Sequence, residues 1–175
     1  MNPFSRTALL LFSRTGEAEA RAKSFLGRAQ AGKNQQIAKQ LVARSHALAA
    51  ASGLPAFVID STHQSGNSFG ERISHAIQEV FNQGYDQLLV IGNDCPELQV
   101  ERLHQAAQDL NRQDWVLGPD ARGGEYLIGI HRQQFEAGQF KKLSWSTHRL
   151  FAELSALAGA SIALLPQLQD LNSQA

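Results

Sequence analysis

The chain has 175 residues, of which 43% are hydrophobic, and its 16 basic residues are balanced by 16 acidic ones. This length and composition predict a single domain over residues 1–175 with its own core, and they exclude disordered and collagen-like classes. The chain has no net charge and no basic cluster larger than a pair such as Lys141-Lys142, which argues against nucleic acid as a partner.

The first half of the chain predicts alternating strands and helices. The apolar run Thr7–Phe12 indicates a buried strand, and because it is too short for a signal-peptide core or a membrane span, no membrane partner is expected. Residues 34–52 carry apolar side chains at helical spacing, and Gly53 ends that helix. A second strand, an amphipathic helix and a third buried strand follow, at residues 57–60, 68–83 and 88–91.

The second half predicts a helix, two successive strands, another helix and a last strand, at residues 100–110, 115–117, 126–130, 146–157 and 162–165. The order is therefore β-α-β-α-β-α-β-β-α-β, which predicts a mixed, mostly parallel sheet. Short apolar strands without polar alternation are typical of a sheet covered by helices on both faces, so the expected fold is a three-layer α/β/α class. In such sheets ligands bind beyond the carboxyl ends of the strands.

Two glycine motifs resemble catalytic signatures without meeting their requirements. Residues 27–34 nearly spell a phosphate-binding P-loop, but Asn34 lacks the hydroxyl that ligates magnesium, and the segment begins well beyond the first strand. We interpret it as a glycine-containing loop before a helix. The Gly-x-Ser-x-Gly pattern around Ser68 fits a hydrolase nucleophile elbow. However, Ser68 and Glu71 also form a capping box, which explains the serine better.

Neither the cysteine nor the histidines predict a catalytic or zinc-binding centre. The single cysteine, Cys95, excludes an internal disulfide, and nothing in the sequence around it indicates an activated thiol. The six histidines form no i, i+4 pair and have no cysteine partner, so zinc has no framework. One unpaired cysteine fits a reducing compartment, and we expect a cytoplasmic protein.

The turn that begins at Gly92 and reads Gly-Asn-Asp-Cys-Pro follows the third strand directly. A carboxylate at this place, Asp94, can hold Mg²⁺ or Mn²⁺ through hard oxygen ligands and so anchor a pyrophosphate. Asp94 is also a good helix cap, because Pro96 suits the start of a helix and Glu97 completes an Asp-x-x-Glu pattern. Spacing alone favours the cap, and the two roles are compatible.

Two further segments carry residues suited to ligand contact. Gly123 and Gly124 allow backbone amides to approach a ligand closely, although a tight connection between strands explains them equally well. Trp145 and Ser146 can stack on and hydrogen-bond to a ligand, or they can be a buried indole followed by a helix cap. The pattern alone favours the structural interpretation of the second pair.

The order of the motifs is more specific than any one of them: Gly70-Glu71-Arg72-Ile73, Ile91-Gly92-Asn93-Asp94-Cys95-Pro96, Leu117-Gly118-Pro119, Gly123-Gly124-Glu125-Tyr126-Leu127-Ile128-Gly129, Trp145-Ser146-Thr147 and Asp170. In this order they resemble DUF2064, a bacterial family of glycosyltransferase A-type proteins, over roughly the last two-thirds of the chain. The resemblance implies a nucleotide-diphospho-sugar transferase fold, the GT-A type, with a nucleotide or nucleotide sugar as the ligand.

The resemblance also implies roles for the candidate residues, while it leaves the catalytic residue unassigned. Lys23 corresponds to a lysine suited to phosphate contacts, and Asp94 and Asp170 correspond to carboxylates that hold Mg²⁺ or Mn²⁺. The nucleotide, the sugar, the acceptor and the oligomeric state stay open. The other residues implied to contact substrate are Gly92, Gly123, Gly124, Trp145 and Ser146.

Three positions depart from the family pattern. Phe25 replaces an arginine, while Arg122 and Asn172 each replace an aspartate. Arg122 can bind phosphate but cannot accept a proton. Because Mg²⁺ needs only one or two protein carboxylates besides substrate phosphates, Asp94 with Asp170 can still suffice. Two hypotheses follow: a metal-assisted glycosyl or nucleotidyl transferase, or a catalytically degenerate member that acts as a binding or interaction protein.

Overall fold

The structure is a computed structural model that describes residues 6–171. These residues form one six-stranded sheet with helices on both faces. The strands are β1 (Thr7–Phe12), β2 (Ala56–Ile59), β3 (Gln87–Ile91), β4 (Trp115–Pro119), β5 (Glu125–His131) and β6 (Ile162–Leu164). The helices are α1 (Gly16–Ala22), α2 (Ala31–Ala51), α3 (Phe69–Asn82), α4 (Val100–Asp109), α5 (Ala137–Lys142) and α6 (Leu150–Ala158).

The sheet has the strand order β2-β1-β3-β5-β4-β6. β1 pairs in parallel with β2 and β3, and β4 pairs in parallel with β6. Only β5 runs against its neighbours, β3 and β4, because it returns directly from β4 through a short connection. The prediction of a mixed, mostly parallel sheet is confirmed. The carboxyl ends of five strands and the start of β5 therefore meet at one border, which we call the carboxyl edge.

The sheet separates two hydrophobic cores. Leu10 of β1 packs in the core that contains α3, α5 and α6, whereas its neighbour Leu9 faces the core that contains α2 and α4. All residues of β1 and β3 are buried, as expected for inner strands covered on both faces. Each fully buried leucine contributes about 1.5–3 kcal/mol of transfer free energy, so the two cores fix the strand ends that carry the site.

The N-terminus of α3 is closed by the predicted capping interaction. Ser68 Oγ accepts a hydrogen bond from the Glu71 amide at 3.1 Å, and the Glu71 carboxylate accepts one from the Asn67 amide at 2.7 Å. The Asn67 bond is the main reason that the pKa of Glu71 lies below its usual value. β2 ends at Ile59, well before Ser68, so the serine stands at a helix cap and not at a strand-to-helix elbow.

The sequence pattern does not predict two short helices, and it misplaces the start of two others. α1 and α5 each span fewer than eight residues, too few for a clear apolar period, and their caps are Thr15 and Glu136. α2 begins at Ala31, so Gly32 and Lys33 lie in its first turn and not in a loop. Among the helices of residues 6–171, none is long and apolar enough to cross a membrane.

Candidate functional site

A cavity of about 620 Å³ opens at the carboxyl edge of the sheet. Its lining includes Lys23, Asp94, Arg122 and Asp170, which come from four separate segments of the chain. The volume falls within the range usual for small-molecule sites. The cavity lining also contains most of the residues predicted to contact substrate, namely Gly92, Gly124, Trp145 and Ser146.

A chain of ion pairs joins α1 to the turn after β3. Lys23 Nζ contacts Asp94 Oδ1 and lies 2.8 Å from Glu19 Oε1. Glu19 is only 1% exposed, and Arg14 Nη1 lies 3.5 Å from its other carboxyl oxygen. Burial raises the pKa of Asp94, and the ammonium group of Lys23 opposes that rise. The Lys23 ammonium group therefore bridges two carboxylates from different parts of the fold, and Arg14 adds a second cation beside Glu19.

Asp94 does not cap a helix, so that prediction is wrong. α4 begins at Val100, and its N-cap residue Gln99 makes no side-chain capping bond. A turn separates Asp94 from the helix, and in it the Glu97 carboxylate accepts a hydrogen bond from the Gln169 amide at 3.1 Å. Because its carboxylate binds the Gln169 amide, Glu97 does not complete a capping box with Asp94. The Asp94 side chain interacts with Lys23 instead.

Two carboxyl groups that the sequence did not single out also lie at the cavity, on Asp120 and Glu125. Asp120 Oδ1 accepts hydrogen bonds from the amides of Arg122 and Gly124 at 2.7 and 2.8 Å. Burial, followed by a hydrogen bond to Asp120, raises the pKa of Asp170 to about 7. Burial, followed by the charges of Asp120 and Asp170, raises the pKa of Glu125 to about 9. Asp120 follows β4 directly and Glu125 is the first residue of β5, so the position of both residues at the carboxyl edge was the signal available in the sequence.

The glycines of this connection are required by the packing of the chain itself. Gly123 has φ 86°, and a Cβ there would lie 2.3 Å from the His148 carbonyl oxygen. A Cβ on Gly124 would lie 2.5 Å from Asp120 Oδ2. Gly124 lines the cavity and Gly123 does not border it. A tight connection therefore accounts for both residues, and contact between their amides and a ligand stays a prediction.

Trp145 forms an aromatic wall of the cavity. Its ring centroid lies 5.5 Å from that of Phe69 and 6.1 Å from that of Phe140, and its Nε1 donates to the Phe140 carbonyl at 2.7 Å. Ser146 does not cap α6, which begins at Leu150, so the predicted start of that helix is wrong. Ser146 instead has φ 60°, a left-handed conformation that is uncommon outside glycine and is found more often at functional sites.

Two of the residues weighed in the sequence have structural roles, and a third cannot be placed. Phe25 is buried with Ala38 and Leu41 in a small core beside α1 and α2, and it does not border the cavity. Cys95 is partly buried, and burial raises the pKa of its thiol to about 12, so it is not an activated nucleophile. Asn172 lies outside the described residues.

The carboxyl groups of the cavity are suitable ligands for a hard divalent cation, but they are not arranged as a preformed metal site. Within residues 6–171, no group of three or more His, Cys, Asp or Glu side chains is arranged to hold a metal ion. Yet Asp170 Oδ1 and both carboxyl oxygens of Glu125 are buried without a hydrogen-bond partner in the described part of the chain. An unpaired buried polar group costs about 1–3 kcal/mol, and oxygen donors are the ligands that Mg²⁺ and Mn²⁺ prefer.

Comparison with known protein families identifies the family of this chain. The family DUF2064, described as "Uncharacterized protein conserved in bacteria", matches residues 28–147. The chain belongs to the DUF2064 family. The matched region contains Asp94, Arg122 and Trp145, whereas Lys23 and Asp170 lie outside it. Among curated proteins, none matches the sequence.

Solved structures share the fold of this DUF2064 protein. A crystal structure from Desulfovibrio desulfuricans G20, of a protein proposed to be a nucleotide-diphospho-sugar transferase, has a TM-score of 0.83 at 24% identity and covers 97% of this chain and 83% of that chain. A homologue of Mycobacterium tuberculosis Rv0371c, from Mycobacterium sp. strain JC1, has a TM-score of 0.57 at 13% identity, with 96% and 90% covered. The predicted nucleotide-diphospho-sugar transferase-like α/β fold is confirmed.

Proposed function

We propose that the protein is a metal-assisted transferase that binds a nucleoside diphosphate, or a sugar ester of one, in the cavity at the carboxyl edge. It transfers a glycosyl or nucleotidyl group to an acceptor that is still to be identified. The observation that carries the proposal is the meeting of Lys23, Asp94, Arg122 and Asp170 at one cavity. Cations beside carboxylates are what a phosphate–metal complex requires.

The cations of the cavity supply the phosphate contacts. Lys23 and Arg122 lie beside the carboxyl groups, and Arg14 and Arg72 also line the cavity. The guanidinium carbon of Arg72 lies 6.0 Å from the centre of the Phe69 ring, which orients that cation above an aromatic surface. Arginine forks bind phosphate oxygens through two parallel hydrogen bonds. The ligand is therefore expected to be an anion with several phosphate oxygens.

Asp94 and Asp170 are the residues proposed to hold Mg²⁺ or Mn²⁺, since both line the cavity and Asp170 presents a buried oxygen without a partner. The bound ion would neutralise charge that develops on the leaving diphosphate. Asp120 holds the β4–β5 connection through the Arg122 and Gly124 amides, which fixes the Arg122 backbone beside the cavity. Trp145 bounds the side that we assign to the sugar or the acceptor.

Isothermal calorimetry with a panel of nucleoside diphosphates and nucleotide sugars, each with Mg²⁺ or Mn²⁺, tests this function. We expect at least one ligand to bind and its affinity to fall when EDTA removes the metal, because the phosphates would then lose the cation that offsets their charge beside the carboxyl groups. Inorganic phosphate serves as the control and is expected to bind more weakly than the best nucleotide. The function is refuted if no member of the panel binds under any of these conditions.

A second candidate is a catalytically degenerate member that binds a nucleotide without turning it over. Two observations favour it: Phe25 is part of a core, and Arg122 brings a cation to the place of the family's acid. On this hypothesis, Arg122→Asp is expected to gain metal-dependent hydrolysis of a nucleotide sugar that the parent lacks. Arg112→Asp, an exposed site with the same charge change, is the control. Robust turnover by the parent would exclude degeneration.

A further inference from the structure

The ion-pair chain Glu19–Lys23–Asp94 has a role that simple phosphate contact by Lys23 does not explain. We propose that Glu19 is a positioning residue: it keeps the Lys23 ammonium group over Asp94 in the metal-free protein and retains it when a divalent cation takes Asp94. The ammonium group is then presented to the phosphates of the ligand. This inference rests on the proposed function for the identity of the ligand. The exchange of Lys23 for a metal ion at Asp94 rests on the contacts described below.

The contacts make Lys23 a resident cation of the site. Its ammonium nitrogen contacts Asp94 and lies 2.8 Å from Glu19, and the Lys23 side chain is only 11% exposed. A divalent cation that binds Asp94 must displace this ammonium group, because two cations so close together repel each other strongly in a partly buried site. The position of Lys23 also agrees with the absence of a ready metal-binding group in residues 6–171.

Glu19 lowers the free-energy cost of displacing Lys23 from Asp94. Its side chain is 2% exposed. Glu19 lies in α1, and Lys23 is the residue that caps the C-terminus of this helix, with its amide donating to the Glu19 carbonyl at 3.0 Å. The Glu19 carboxylate therefore stays beside the ammonium group when Asp94 binds another cation. Removing one member of a buried ion pair leaves an uncompensated charge, which is strongly unfavourable. With Glu19 present, Lys23 keeps one partner after the metal arrives, and with Glu19 absent it keeps none. Metal affinity therefore depends on Glu19 through Lys23.

The test is a double-mutant cycle on Mn²⁺ binding, measured by electron paramagnetic resonance without nucleotide. Lys23→Met is expected to bind Mn²⁺ roughly tenfold more tightly than the parent, and Glu19→Gln roughly tenfold more weakly, within the usual range of coupling between sites. In the Lys23→Met background, Glu19→Gln is expected to change the affinity less than about twofold, because its effect passes through Lys23. Glu17→Gln, on the exposed side of α1, is the control and should change nothing.

The outcomes separate this inference from the proposed function. If Glu19→Gln lowers the Mn²⁺ affinity equally in both backgrounds, Glu19 acts on the metal directly through its charge and the inference is overturned. An unchanged affinity in Lys23→Met would overturn it too, as would the absence of Mn²⁺ binding in every variant. Nucleotide binding by the parent, measured separately, decides the proposed function. If Lys23→Met alone unfolds, the double variant and Glu19→Gln still provide the comparison with the parent. The double variant removes both charges of the Glu19–Lys23 pair.

Discussion

Asp94→Asn is expected to lower the affinity of the protein for Mn²⁺ by at least about tenfold, since even residues outside the coordination shell change metal affinity by 10–100-fold when removed. The asparagine keeps the size of the side chain and one oxygen, but it loses the negative charge that a cation requires. Nucleotide diphosphate binding in the presence of Mn²⁺ should fall in parallel, whereas binding in EDTA should not. Calorimetry with and without the metal measures both effects.

Asp86→Asn is the matched control for this variant. Asp86 lies just before β3, at the opposite end of the strand from Asp94, and its ion pair with Arg6 is on the surface. The control should leave Mn²⁺ and nucleotide affinities unchanged. Equal affinities in Asp94→Asn and the parent would remove Asp94 from the metal site and leave the diphosphate to bind through cations alone.

The sequence predicted the strands and the location of the cavity for the same reason. Buried parallel strands require apolar runs, and all six runs proved to be strands. The carboxyl ends of such strands meet at one edge, so Asp94 could be placed at a ligand site from its position after β3 alone. Lys23 and Asp170 were assigned through the family resemblance, and both border the same cavity.

What could not be predicted depends on contacts between distant segments. Glu19 became visible only with α1, a helix of seven residues that is too short to leave a periodic pattern. The cap predicted at Asp94 failed because Glu97 bonds to Gln169, far along the chain. Likewise, the Asp120 carboxylate raises the pKa of Asp170 through a hydrogen bond. The two residues meet because Asp120 pairs with Leu168 in a parallel bridge. No local pattern encodes these pairings.

Glu125→Gln is expected to stabilise the metal-free protein at alkaline pH and to have little effect near pH 4. Burial raises the pKa of Glu125 from 4.5 to about 9 in the folded protein. Between these two values the folded state keeps a proton that the unfolded state loses, so the unfolded state gains stability as the pH rises. Glutamine is neutral at every pH and removes this penalty. At pH 8 we expect a gain of roughly 4–5 kcal/mol in unfolding free energy, because the pH then lies about 3.5 units above the pKa of the unfolded state.

Urea unfolding in EDTA across this pH range measures the difference between Glu125→Gln and the parent. The exposed Glu79→Gln is the control for the loss of a negative charge, and it should produce no comparable dependence on pH. A constant difference at all pH values would show that Glu125 has the same pKa in the folded and unfolded states, and would contradict the effect of burial on its carboxyl group. A difference that grows with pH means that Glu125 keeps its proton in the metal-free cavity, because burial, followed by the charges of Asp120 and Asp170, disfavours its ionised form.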